Sequence, residues 1–295
     1  MLVSTSTGKI ASVYGDKEAI RLIKEAGFTA YDFELGNLFS SSRERCLNRL
    51  SGDYVSYAKE LRAFADSIGI VCNQAHAPFP TSLEERFVGI ITKEELFELI
   101  TKSMEFASIL GAKCIVVHPN QELWYPEHID ELFENNVKFY KSLIPYCEKY
   151  GIKVACENMW QENPKTYAIT DSTCSRAWEF CKYLDAIDSD WIVGCLDLGH
   201  TSLVAADTVE FIKKMGAKRL QALHIHDTDF VRDLHTLPFT GKMSFEPIMK
   251  ALSEIGYEGD FTYEAMGFLN GFPTDFYPAV LEFKCKVAHR LIKFM

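Results

Sequence analysis

The sequence predicts a single-domain α/β protein, a (β/α)8 TIM barrel over residues 1–295, and three observations predict it. Eight short apolar runs alternate with longer helical patterns. A glycine stands repeatedly between the end of a helical pattern and the next apolar run. No proline-rich or low-complexity linker divides the chain. Strands that alternate with helices form a parallel sheet, and eight such units close on themselves as a barrel.

The apolar runs are LVSTS (2–6), AYDFEL (30–35), IVCNQAH (70–76), CIVVHP (114–119), KVACEN (153–158), IVGCLDL (192–198), LQALHIH (220–226) and DFTYEA (260–265). Helical patterns lie between them near 16–26, 53–68, 93–110, 127–150, 173–187, 206–215 and 244–256, and a last one near 276–293. Gly27, Gly69, Gly111, Gly151, Gly216 and Gly256 stand at helix exits, where a left-handed residue ends a helix at least cost. Fragments such as SIGIVCN, ILGAKCIVV and KYGIKVACE thus repeat a structural unit rather than a sequence. An open doubly wound sheet is the competing arrangement. It lacks support because no glycine-rich phosphate turn follows the first strand.

Composition narrows the function classes. A net charge of −10 repels nucleic acid and anionic membranes over most of the surface and leaves a small neutral substrate open. The nine cysteines are an odd number without a CxxC pair. Cys72, Cys114, Cys156 and Cys195 fall in apolar runs and read as small buried thiols of a reducing compartment. Neither a basic-then-apolar leader nor a run of 18 apolar residues is present, so no signal peptide or membrane span is expected, and a cytoplasmic location is.

The chemistry of a barrel gathers at the C-terminal ends of its strands. There the chain places His76, His118, Glu157 with Asn158, Asp197 with His200, His224 and His226, and Glu264; Asp233 and His235 follow in the loop after His226. Six of the eight histidines lie at or just after strand ends, and His128 and His289 do not. Side chains two apart share a strand face. Two positions before Glu157, Asp197, His224 and Glu264 stand Ala155, Cys195, Ala222 and Thr262, all small. Such a face narrows beneath a polar rim.

Buried carboxylates cost free energy unless a cation or hydrogen bonds compensate them. Two Glu, one Asp and one His suit a divalent ion, Mn2+, Zn2+, Co2+ or Mg2+, which can polarise a sugar carbonyl. His224 and His226 share a face and either can serve as the ligand, with His224 preferred. The bland alternatives are hydrogen-bonded structural histidines, and salt bridges or helix caps for the carboxylates. Trp124 and Trp160 wall a pocket or simply pack. Arg43, Arg45 and Arg49 in SSRERCLNR read as a solvated helix start.

ENMW, CLDLGH, LHIHDTD, the DLH…PFTGKMSFEPI stretch and GDFTYEA together resemble the xylose isomerase-like TIM barrels. That superfamily holds sugar phosphate isomerases and epimerases, ketose 3-epimerases, inositol-catabolism enzymes and endonuclease IV. The likeness to the ketose epimerases implies one metal held by Glu157, Asp197, His224 and Glu264, with the two Glu exchanging a substrate proton as base and acid. It implies that His200, and Arg232 in the loop after the seventh strand, touch substrate. The likeness to endonuclease IV implies further ligands among His76, His118, His200, Asp233 and His235, although ENMW, LDLGH and HIHD depart from that enzyme's pattern. His76, His118, His200, His226, Arg232, Asp233 and His235 are therefore candidates for a second metal or for substrate binding. The expectation is a metal-dependent isomerase or epimerase with a small carbohydrate substrate. A multinuclear zinc phosphodiesterase acting on abasic DNA and an inositol-catabolism-type dehydratase are the alternatives. A homo-oligomer stays open.

Overall fold

The computed structural model describes residues 1–82 and 91–295. Each expected apolar run forms a strand: β1 (Val3–Thr5), β2 (Ala30–Glu34), β3 (Val71–His76), β4 (Cys114–Val117), β5 (Lys153–Glu157), β8 (Ile192–Asp197), β9 (Leu220–His224) and β10 (Phe261–Tyr263). Two further strands, β6 (Trp160–Glu162) and β7 (Ile169–Asp171), make a separate antiparallel hairpin. Strands β2, β3, β4, β5, β8 and β9 form one parallel sheet in that order, and β1 pairs with β10. Two seams close the circle. Ser6 bridges Asp32, and the Thr29 N–H donates to the Val3 carbonyl at 3.0 Å. On the other side Ile225 bridges Tyr263 and its N–H donates to the Thr262 carbonyl at 2.9 Å.

The helices are α1 (Gly8–Tyr14), α2 (Asp16–Glu25), α3 (Arg43–Arg49), α4 (Tyr54–Ile68), α5 (Lys93–Leu110), α6 (Ile129–Tyr150), α7 (Ala177–Ile187), α8 (Leu198–Leu203), α9 (Thr208–Arg219), α10 (Phe245–Glu254) and α11 (Tyr277–Ile292). Local chemistry sets their ends. In α5 the Glu95 N–H donates to Thr92 Oγ1 at 3.1 Å while Glu95 accepts from the Thr92 N–H at 2.8 Å. This reciprocal cap satisfies two otherwise orphaned donors. The helix stops at Gly111, whose φ of 90° suits glycine.

Two boundaries differ clearly from the sequence reading. Helix α7 starts at Ala177 rather than 173, because Cys174 adopts φ 62°, a left-handed turn no helix accepts. Helix α9 continues past Gly216 to Arg219 through a kink at that glycine. The short helices α1 and α8 and the β6–β7 hairpin were not foreseen. Each follows the C-terminal end of a barrel strand, on the side where the site lies. SSRERCLNR does contain a helix, but Arg49 is buried rather than solvated: its Nε donates to Asp16 Oδ2 at 2.9 Å.

Outward strand faces and the apolar sides of the helices build one large core that includes Tyr31, Phe33, Phe106, Phe180 and Phe211. Each such side chain stabilises the fold by roughly 1.5–3 kcal/mol. Inside the barrel a second cluster holds Cys114, Val116, Ala155, Val193, Cys195 and Ala222. Three of its members are the small residues expected beneath Glu157, Asp197 and His224. The fourth, Thr262, is buried and accepts from Ser4 Oγ at 3.0 Å and Asn73 Nδ2 at 3.1 Å. All nine cysteines are buried and free. No helix among the described residues is long and apolar enough to cross a membrane.

Candidate metal centre

Strand register brings the rim together. Asp197 on β8 stands opposite His224 on β9, and Glu157 on β5 stands opposite Cys195. The inward alternation then points Glu157, Asp197, His224 and Glu264 at one place, where one ligand atom from each lies within 4.8 Å of all the others. His224 Nδ1 is 3.0 Å from Glu157 Oε1 and 3.2 Å from Glu264 Oε2. His226 takes a different partner: its Nε2 sits 3.0 and 2.9 Å from the two oxygens of Asp197. Its ring lies so close to Gly199 that a Cβ there would meet Cε1 at 2.0 Å. His224 thus lies against both glutamates, and His226 lies against the aspartate.

Two further groups flank this set. His76, His118 and Glu157 converge on one side, with the two imidazole Nε2 atoms 3.1 Å apart and Glu157 Oε2 3.1 Å from His118. On the other side His200, His226, Asp233 and His235 converge, with His235 Nε2 3.1 Å from Asp233 Oδ2. Trp160 covers this group from the β6–β7 hairpin and donates its Nε1–H to Asp233 Oδ2 at 3.2 Å. Arg232 is not brought in. It lies in an exposed loop, paired with Asp229 at 2.7 Å.

The donor chemistry fits divalent ions. His76, His200 and His235 each donate Nδ1–H to a backbone carbonyl, of Ala77, Asn158 and Glu264, at 2.8–2.9 Å. A carbonyl only accepts, so each ring presents the Nε2 lone pair to the cluster, the arrangement of a metal-ligating histidine. Glu157 Oε2, His224 Nε2, His226 Nδ1 and Asp233 Oδ1 are buried without a hydrogen bond among the described residues.

Electrostatics point the same way. Burial opposes the charge of Glu157, yet His224 and His118 outweigh it and hold the carboxyl well below its usual range. Burial is likewise outweighed at Asp197 by His200 and His226, and at Asp233 by His235 and His200; both are lowered. The imidazoles respond in kind: against burial, Asp197 and Asp233 push His200 up to about 10, and Asp233 with Glu264 raises His235 well above normal. His118 goes the other way, since burial dominates there. The rim therefore stabilises positive charge, whether protons on imidazoles or a cation between them.

Several working residues left little trace in the sequence reading. Asn158 locks two strand ends: its Oδ1 accepts from the Asp197 N–H at 2.7 Å and its Nδ2 donates to the Asp197 carbonyl at 3.0 Å. Asp227, in the quoted HIHD, looks like a ligand by type. Instead it accepts from the N–H groups of Thr228, Phe239, Gly241 and Met243 at 2.8–3.1 Å and shapes the loop carrying PFTGKM. Asp32 lies buried inside the barrel, and burial pushes its carboxyl up to about 7. Only its apolar surroundings in AYDFEL hinted at that.

A family model described as the xylose isomerase-like TIM barrel matches residues 20–269. An uncharacterized protein of Methanocaldococcus jannaschii, MJ1311, is 30% identical over 223 residues, 73% of this chain and 70% of that protein. The fructoselysine 3-epimerase of Escherichia coli O157:H7 is 25% identical over 182 residues, 58% of this chain and 59% of the enzyme. Among solved structures, a D-tagatose 3-epimerase-like protein superposes with a TM-score of 0.71 at 23% identity, covering 99% of this chain and 98% of its own. The IOLI protein with a bound zinc atom superposes at 0.75 and 17% identity, covering 100% and 99%. At these identities the solved structures speak for the fold.

Proposed function

The chain belongs to the xylose isomerase-like TIM barrel family, and from that premise we propose that it is a divalent-metal-dependent isomerase or epimerase of a sugar or sugar phosphate. The observation that carries the reading is the convergence of Glu157, Asp197, His224 and Glu264 within 4.8 Å. These four would hold the ion, and when bound it would polarise the substrate's carbonyl and acidify the neighbouring C–H.

The chain's own groups do the rest. Glu264 is the more accessible glutamate, its side chain 12% exposed against 1% for Glu157. Glu264 takes the proton next to the carbonyl, and Glu157, an ionised carboxylate that must first receive a proton from a facing imidazolium such as His76, returns one to the other face of the enediolate. Return by the same carboxylate restores the starting configuration or moves the carbonyl; return by the opposite one inverts the carbon. His235 fixes Glu264 by donating to its backbone carbonyl, and Trp160 closes the rim above His200. The ring contact and the narrow apolar layer beneath limit water around the reacting carbon.

A second reading rests on a specific observation, the two flanking ligand groups around Glu157 and Asp233. Ligands for three ions favour a multinuclear phosphodiesterase, while the net charge of −10 counts against DNA as its substrate. A dehydratase uses the same first proton removal and differs in expelling a neighbouring hydroxyl. One experiment separates these. Metal analysis of the purified chain should give one tightly held ion, and incubation with ketoses and ketose phosphates in D2O should label one of them. E264Q should abolish the labelling while the circular dichroism is unchanged. Labelling that persists in E264Q ends the proposal; three ions with cleavage of abasic DNA establish the second reading.

A further inference from the structure

Lys284 is the one fully buried lysine among the described residues, at 0% exposure. It sits on α11, outside the barrel wall, where β1 and β10 meet. No carboxylate among the described residues lies within ion-pair distance of it. Its Nζ donates to Thr5 Oγ1 and to the Ala265 carbonyl, each at 3.1 Å, and lies 5.8 Å from the Tyr263 ring centre. A buried ammonium without a counter-charge is costly. A neutral amine has two N–H groups, and here two acceptors meet them. Burial alone pushes this amine down to about 7.

An apolar side chain at this place would pack without that cost, so the amine's two bonds are what distinguish it. Thr5 ends β1, and Ala265 directly follows Glu264. Both residues lie just past the end of β10, and there the Ala265 carbonyl accepts from Lys284 on α11. The peptide around Glu264 is otherwise held by its N–H to the Ile225 carbonyl at 3.2 Å and by His235 on its own carbonyl at 2.9 Å. Lys284 supplies the third tether, from behind the wall and across the β1–β10 pair.

We infer that Lys284 is a positioning residue for Glu264, fixing through the Ala265 carbonyl the direction in which that carboxylate enters the site. The inference rests on the reading of Glu264 as a ligand and proton-transfer group. It predicts that removing the tether loosens Glu264 without emptying the core, because methionine keeps the length and volume of the stem. Partners that orient ligands from outside the first layer are typically worth about 10–100-fold in metal affinity.

The test uses Mn2+ alone on the metal-stripped full chain. K284M should keep the wild-type circular dichroism and lose only the modest stability that the unpaired Ala265 carbonyl costs, yet bind Mn2+ about 10–100-fold more weakly, with an altered electron paramagnetic resonance spectrum of the bound ion. T5V, which removes one of the two acceptors, should shift both readouts in the same direction by less, and it decides the matter if K284M does not fold. Wild-type Mn2+ affinity and spectrum in K284M, or in T5V if K284M does not fold, overturn the inference, provided E264Q has lost binding. E264Q binding Mn2+ as tightly as wild type overturns the reading of Glu264 itself, and the inference with it.

Discussion

The two ends of the barrel use charged side chains to opposite effect. At the N-terminal end, around a cavity of about 410 Å3, each lysine meets a single partner. Lys113 meets Asp260 at 2.8 Å, Asp260 also accepts from the Leu2 N–H at 2.8 Å, and Lys153 donates to Gln221 at 2.8 Å. At the C-terminal end carboxylates and imidazoles are crowded past pairing, with Glu157 alone facing His76, His118, His200 and His224 within 3.7 Å. Between the two ends lies the layer of Ala155, Cys195 and Ala222. The difference teaches that a charged residue becomes a site candidate through shared, unsatisfied geometry rather than through its type. Paired charges at a floor stabilise; convergent charges at a rim are costly unless something else binds there.

The largest effect should come from the most shared carboxylate. E157Q removes the counter-charge of four imidazoles, and turnover should fall on the order of 10²–10⁴-fold with loss of bound metal. The metal-free variant should also lose about 3–5 kcal/mol of stability, as when one partner of a buried pair is removed. Metal analysis, deuterium labelling and urea denaturation check these three outcomes. Full metal content in E157Q would dissolve the contrast between rim and floor.

A middle-sized effect should follow crowding at the rim. In G199A the new Cβ displaces the His226 ring from Asp197. Overpacking should cost about 1–3 kcal/mol, and Mn2+ affinity should drop with the loosened aspartate. Thermal melts and Mn2+ titration read both, and an unchanged titration would show that His226 does not orient Asp197.

The smallest effect belongs to the floor. Lys113 has a 64% exposed side chain, and in K113A Asp260 keeps the Leu2 N–H. Stability should change by no more than about 1 kcal/mol, with metal affinity and labelling unaltered. A tenfold loss of labelling in K113A would mean that the two ends are coupled.

Much of this architecture was legible before any coordinate. The eight strands and eight outer helices announce themselves through local periodicity and through glycines such as Gly69, Gly111 and Gly151, because a strand or a helix exit is a property of neighbouring residues. The strand-end positions of Glu157, Asp197, His224 and Glu264 were legible for the same reason: the pleat fixes which side chains share a face. Helices α1 and α8 and the β6–β7 hairpin were not. They are too short to show a period, and their stability comes from what they pack against.

Sequence by itself therefore determined the order of the units and the set of groups aimed at one rim. Tertiary structure alone decided the partnerships. Register across β8 and β9 gave His224 to the glutamates and His226 to Asp197. Closure of the barrel put Lys284 behind Glu264, and a loop turn sent Arg232 to solvent with Asp229. Local rules fix where a side chain starts and which way it faces; who meets it depends on distant strands, and their spacing is set only when the barrel closes.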